Sequence, residues 1–327
     1  MTVIDVHTHM FSRSWLEQIR AANDPHYEFR INSEGVESVF AHGAQFLTPL
    51  PGHFDYGRRV KKMDEVGVDV SVVSLTAPNV FFGDEASSTA AARAINDDMA
   101  EAQRDYPDRI RWMASLPWEY PDAAVAELAR AHAAGAVGVM VLANIRGRHL
   151  TDPLFAPVWA AIDRLALPVL VHPTTPPGSA AHGLEEFVLT PAVGFMFDTS
   201  VAISRMIYSG FLDTYPNLRI IASHAGGALP YLVGRLDQCF TNLADGRKAI
   251  SAKPSEYMRR IAYDAVTYHV DALKMCLDVG GDENVMYGSD YPHKIGDMEG
   301  CLARVDMLPA ERRKAVRGRN AERIFRL

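Results

Sequence analysis

The 327-residue sequence predicts an α/β protein folded as a (β/α)8 TIM barrel, with a long loop insertion after the first strand. Three observations carry this reading. Eight short apolar or β-branched runs recur along the chain, and amphipathic stretches with apolar residues at three- and four-residue spacing separate them. No G-x-G-x-x-G follows the first run, which weighs against the main alternative, a doubly wound open sheet.

The first run, Thr2 to Val6, leads directly into His7 and His9. The others are Val68 to Leu75, Ile110 to Leu116, Val137 to Leu142, Val169 to His172, Arg219 to Ser223, Ile261 to Asp264 and Val285 to Gly288. Helical patterns cover Ser87 to Tyr106, Pro121 to Ala134, Asp152 to Leu165, Phe197 to Tyr215 and His269 to Val279. Ser87 reads as an N-cap, and Asp152-Pro153 as a cap followed by proline at the first helical position. The connection from Phe11 to Leu50 is rich in Gly, Pro, His and aromatic residues and has no clear period. Long connections inside compact domains are usually functional, so residues 11–50 read as a lid over the site. With no internal repeat, low-complexity tract or linker, residues 1–327 form one domain.

Composition narrows the function class. Lys and Arg number 33 against 40 Asp and Glu, and the formal net charge of −7 argues against a nucleic-acid partner. The basic stretches Arg58 to Lys62 and Arg312 to Lys314 read as solvated helix faces. Cys239, Cys276 and Cys301 are far apart, odd in number and without C-x-x-C spacing, which predicts reduced thiols and a cytoplasmic location. No signal peptide or membrane-spanning run is recognisable, so no membrane partner is expected.

In a barrel of this kind, the polar residues at the C-terminal strand ends are the candidates for chemistry. A strand alternates faces, so His7 and His9 point to the same side and can share one cation. The fifth strand ends in His172, the sixth in His224, and the eighth delivers Asp290; strands four and seven end in Asn144 and Asp264. Singly, each histidine is more often structural than a ligand. Four histidines and an aspartate at four strand mouths suit Zn²⁺, with Fe²⁺ or Mn²⁺ as alternatives.

H-x-H after strand one, His after strands five and six, and Asp after strand eight resemble the amidohydrolase superfamily. The segments YPNLRIIASHAGGALPYLVGRLD and VMYGSDYP are similar to the branch that contains aminocarboxymuconate semialdehyde decarboxylase and related decarboxylases. The resemblance implies His7, His9, His172 and Asp290 as metal ligands and His224 as an acid/base beside the metal; His224 as a ligand is the alternative. The strand-four segment AVGVMVLAN has no lysine or acid to bridge a second metal, so one divalent ion per chain is expected, and the neutral His7 tilts it towards zinc. Arg235 matches an arginine that, in the related decarboxylases, reaches a neighbouring subunit's site and holds a substrate carboxylate, which implies a homodimer. The second substrate arginine of those enzymes has no counterpart between Gln45 and Phe54. Arg146 and Arg148 stand as replacements. His293 and Lys294 are placed to orient a ligand or to decorate the loop, and Phe81 and Phe82 to wall a pocket or to pack.

The expected function is non-oxidative, metal-dependent decarboxylation of a small unsaturated or aromatic carboxylic acid. His224 and Asp290 are the catalytic candidates, and Arg235, Arg146 and Arg148 the substrate-binding ones. Two alternatives remain: a metal-dependent hydrolase of a lactone, amide or activated C–C bond on the same site, and a catalytically silent structural subunit.

Overall fold

The computed structural model describes residues 2–41 and 43–327. Eight parallel strands form the barrel wall in chain order: strand 1 (Ile4–His9), strand 2 (Val70–Ser74), strand 3 (Ile110–Ala114), strand 4 (Gly138–Leu142), strand 5 (Pro168–His172), strand 6 (Arg219–Ala222), strand 7 (Ala262–Asp264) and strand 8 (Val285–Met286). Backbone bonds beyond the end of strand 8 close the wall, with Val6 N donating to Tyr287 O at 3.0 Å and His9 N to Tyr291 O at 2.7 Å. Every residue of strands 1, 4 and 5 is buried. Helices cover the outer face and side chains fill the inner one, which is why strands 4 and 5 read as near-continuous apolar runs. Each fully buried Val or Ile contributes about 1.5–3 kcal/mol relative to exposure.

The helices follow the sequence pattern with local adjustments. Asp84, not Ser87, caps the helix Glu85–Asp105: its carboxylate accepts the Ser87 N–H at 2.9 Å and also takes the Ser87 hydroxyl. Asp152 does cap its segment, accepting from Leu154 N at 2.9 Å ahead of the helix Ala156–Leu165. Trp159 of that helix packs between Trp118 and Phe211, with ring centroids 4.6 and 5.0 Å away, and its indole N–H donates to Leu150 O.

Three expectations need correction. The histidines lie within strand 1, which runs on to His9 instead of stopping at Val6. The insertion is not a structureless loop. It holds the helix Arg13–Ala22 and a three-stranded antiparallel sheet of Tyr27–Ile31, Glu37–Ala41 and Ala44–Leu47. The helix buries only Trp15 and Ile19, too few apolar positions to show a period, yet it is capped at both ends by Ser12 and Asn23. Arg59 also departs from the solvated-face reading. It is fully buried, and its guanidinium donates to Thr8 Oγ1 and His9 O at 2.5 Å each, clamping strand 1 on the face opposite His7 and His9. No helix among the described residues is long and apolar enough to cross a membrane.

Candidate metal centre and active site

His7, His9, His172, His224 and Asp290 meet at the C-terminal mouth of the barrel. Ring centroids are 5.0 Å apart for His7 and His9, 4.9 Å for His9 and His172, and 4.8 Å for His7 and His224. Asp290 sits among them, with Oδ1 3.2 Å from His9 Nε2 and 3.6 Å from His7 Nε2, and Oδ2 3.7 Å from His224 Nε2. One group of mutually close donor atoms comprises His7, His172, His224 and Asp290; a second comprises His9, Asp290 and His293.

What holds each ring differs. His7 Nδ1 bonds Asp264 Oδ2 at 2.6 Å, His9 Nδ1 bonds Leu75 O at 3.0 Å, and His172 Nδ1 bonds Pro173 O at 2.8 Å. A carbonyl can only accept, so the Nδ1 atoms of His9 and His172 carry the proton and their Nε2 lone pairs are free. His224 Nδ1 has no partner. The buried Nε2 atoms of His7 and His9 and Oδ1 of Asp290 are likewise without hydrogen-bond partners. Buried polar atoms left unpaired are costly, and three of them converging fit a cation.

The backbone is strained here. His224, Ala225 and Asp290 adopt left-handed φ values of 52°, 54° and 57°, each costing about 1–3 kcal/mol. Asp264 overcomes this at strand 6, because its carboxylate accepts the N–H groups of His224 at 2.9 Å and Ala225 at 3.2 Å as well as His7. At strand 8, Asp290 N donates to His7 O at 2.8 Å. Gly288 permits the approach, since a Cβ there would fall 2.9 Å from that of His7 and 3.1 Å from that of Asp264.

Electrostatics follow from burial and neighbours. Burial pushes the Asp264 and Asp290 carboxyls up. Against it, the charge of His7 and its hydrogen bond hold Asp264 below its ordinary range, and the His224 and His9 imidazoles hold Asp290 well below. Burial keeps His9 and His172 neutral. His7 is pushed down by burial, yet Asp264 raises it above the ordinary histidine value.

The other sequence candidates lie further out. Arg146 is committed to Asp24 of the insertion at 3.1 Å and approaches Glu119 at 4.0 Å, while the exposed Arg148 pairs with Asp152. The structure does not bring either guanidinium to the histidines. Arg235 is exposed on the helix Leu229–Asn242. Phe81 and Phe82 are core residues, each 1 % exposed. Asn144 donates to Asp198, which also accepts Thr174 N at 3.0 Å, so this pair staples the loops after strands 4 and 5. Lys294 pairs with Glu34 of the insertion. The orienting role of Asp264 and the place of His53 escaped the sequence reading. A polar residue ending strand 7 was the only signal for the first.

A family model described as amidohydrolase matches residues 4–327. The chain belongs to the amidohydrolases. Among curated members it is 27% identical over 310 residues to the 2-amino-3-carboxymuconate-6-semialdehyde decarboxylase of Dictyostelium discoideum, covering 90% of this chain and 83% of that one. It is 30% identical over 288 residues to a gamma-resorcylate decarboxylase of Polaromonas sp., covering 83% and 87%. Solved amidohydrolase structures agree. The 5-carboxyvanillate decarboxylase of Sphingomonas paucimobilis superposes with a TM-score of 0.87 at 27% identity, covering 100% of this chain and 99% of that one. The Novosphingobium aromaticivorans enzyme of the same name, complexed with manganese and 4-hydroxy-3-methoxy-5-nitrobenzoic acid, gives 0.83 at 26%, covering 100% and 96%.

Proposed function

We propose that this amidohydrolase is a metal-dependent, non-oxidative decarboxylase of a small aromatic or unsaturated carboxylic acid. The observation that carries the reading is the division among the four histidines. Those at positions 7, 9 and 172 each have Nδ1 pinned by a carboxylate or carbonyl, the arrangement typical of metal-bound imidazoles, whereas His224 has no such partner. His7, His9, His172 and Asp290 are therefore assigned as ligands of one divalent ion and His224 as the acid/base. Three imidazoles and a carboxylate favour zinc; the manganese of the Novosphingobium enzyme is the rival. When bound, such an ion supplies Lewis-acid polarisation of the substrate's oxygens.

His224 is 9 % exposed at its side chain, so it can meet a substrate from the open side of the cluster. It delivers a proton to the carbon that bears the carboxylate. The electron pair of the C–C bond then returns to the carbon skeleton as CO2 departs, and a C–H bond stands where the carboxylate was. Arg235 is assigned to the carboxylate of a partner chain's substrate. It has no ion-pair partner among the described residues and lies one turn from Tyr231, which is 80 % exposed. Phe197 and Val201 form an exposed apolar stripe on the adjacent helix Phe195–Tyr208, a face suited to a second copy of the chain. Three unpaired cysteines accord with a reducing, cytoplasmic compartment.

The test is a product assay on protein of known metal content, over a panel of aromatic and unsaturated carboxylic acids and lactones. Release of CO2 is expected, with a product that carries C–H where the carboxylate was. Ring opening or amide cleavage without CO2 would assign the site to hydrolysis instead.

A further inference from the structure

Above the metal cluster lies a second tier of histidines that the proposed chemistry does not use. His293 is three residues beyond Asp290, with its ring 4.8 Å from that of His9 and 5.0 Å from that of His53. Its Nε2 is 3.1 Å from the hydroxyl of Thr76 at the mouth of strand 2. Unlike the rings at 7 and 9, it is only partly buried. His53 comes from the turn just after the insertion and is fully buried, stacked on Phe11 with centroids 4.3 Å apart. The backbone N–H of Leu50 donates to His53 Nδ1 at 3.0 Å, which places the proton of the neutral ring on Nε2. That Nε2–H is buried and has no acceptor.

The two rings meet because the turn Pro51–His53 is pressed onto the loop after strand 8. A Cβ on Gly52 would lie 2.8 Å from the Tyr291 hydroxyl oxygen and 2.9 Å from Pro292 Cβ, an approach only glycine allows. Lys294 and Glu34 tie the same loop to the insertion from outside. A partly exposed imidazole, bonded to Thr76 and packed against His53, has its ring 4.8 Å from that of the assigned ligand His9, within reach of a substituent on an acid held there.

We propose that His293 is a specificity-determining residue that hydrogen-bonds a hydroxyl substituent of the substrate, with Thr76 and His53 as its positioning residues. A hydroxyl suits it better than a second carboxylate. A carboxylate calls for a guanidinium, and Arg59 and Arg146 are already engaged with Thr8, His9 and Asp24. The inference rests on the reading of the site as one for carboxylic acids, but not on decarboxylation itself.

Equilibrium binding of salicylate and of the dihydroxybenzoates to the metal-loaded enzyme tests it, with turnover measured separately. At least one dihydroxybenzoate should bind about tenfold or more tightly than salicylate. His293→Phe, which keeps the ring and removes both nitrogens, should bring that ratio close to one, His293→Gln should restore part of it, and Thr76→Val should lower it in the same direction. A merely structural role would weaken both ligands equally and leave the ratio intact, which would overturn the proposal, as would a wild-type enzyme that binds none of these acids or does not distinguish them. Tight, discriminating binding without CO2 release would refute the decarboxylase reading and leave the role of His293 standing.

Discussion

Replacing Asp264 by asparagine changes one atom, and the geometry fixes what that atom does. Oδ1 of Asp264 accepts from Ala225 N at 3.2 Å and Val266 N at 3.0 Å, while Oδ2 accepts from His7 Nδ1 at 2.6 Å and His224 N at 2.9 Å. Either orientation of the carboxamide in Asp264→Asn turns an NH2 towards two former donors. Facing the backbone pair, it meets two N–H groups that cannot adapt. Facing His7 and His224, it meets one fixed N–H and an imidazole that can shift its proton, so the second orientation costs less. His7 then carries its proton on Nε2, the nitrogen that faces Asp290, and can no longer offer a lone pair to a cation. Losing one charge-assisted bond and opposing one N–H costs about 3 kcal/mol of stability. Metal affinity should fall by about 10–100-fold, the usual consequence of removing a ligand's orienting partner. Competition against a graded chelator measures the affinity, and denaturant unfolding followed by circular dichroism the stability. Metal affinity within about threefold of wild type in a folded Asp264→Asn protein would refute the tautomer argument.

Further outcomes follow from the same geometry. Protein purified without added metal should contain close to one divalent ion per chain by elemental analysis, and a reproducible value of two would overturn the mononuclear assignment. His172→Ala should lose metal whereas His224→Ala should keep it and lose turnover; equal metal loss in both would make His224 a ligand. Co-expressed Arg235→Ala and Asp290→Ala chains should regain up to about half the wild-type activity per heterodimer, since a two-fold interface creates one site with both groups intact; mixed dimers without recovery would confine Arg235 to its own chain. Burial raises the Asp198 carboxyl to about 6, against the hydrogen bonds from Thr174 and Asn144. A folded-state value above the unfolded one favours the protonated form, so this group's stabilising contribution is full at low pH and is lost as pH rises through about 6. Denaturant unfolding between pH 4.5 and pH 7 should show a decline of about 2 kcal/mol that Asp198→Asn removes, and an unchanged slope in the variant would exclude Asp198 as its source.

The parts of the molecule legible in the sequence are those whose cause is local. Strands 4 and 5 announce themselves because both of their faces are buried, and the two histidines of strand 1 share a face because the strand period is two. The apolar run of strand 1 stops at Val6 and a histidine resembles a strand end; what carries the ladder on to His9 is a hydrogen bond to Tyr291, far along the chain. The insertion was opaque for a related reason. Trp15 is held by Asn79 O through its indole N–H, and Asp24 by Arg146 and by Gly83 N, so its order depends on partners from the loops after strands 2 and 4 and leaves no period in its own residues. The bond from His7 to Asp264 spans 257 positions, and no spacing rule reaches that far.

That long-range bond also explains why the site divides as it does. His9 and His172 are oriented by main-chain carbonyls, which no side-chain substitution removes, so their aim is a property of the barrel itself. His7 and the left-handed turn at His224 instead depend on one oxygen, Oδ2 of Asp264, so the aim of the proposed ligand and the position of the proposed acid/base are set together. The second tier is built differently again. His53 follows the insertion and His293 lies in the loop after strand 8, so neither is part of the strand ends that carry the proposed ligands. If His293 selects the substrate as proposed, such a barrel alters which acid it accepts through its loops, while Asp264 holds His7 and His224 in place beneath.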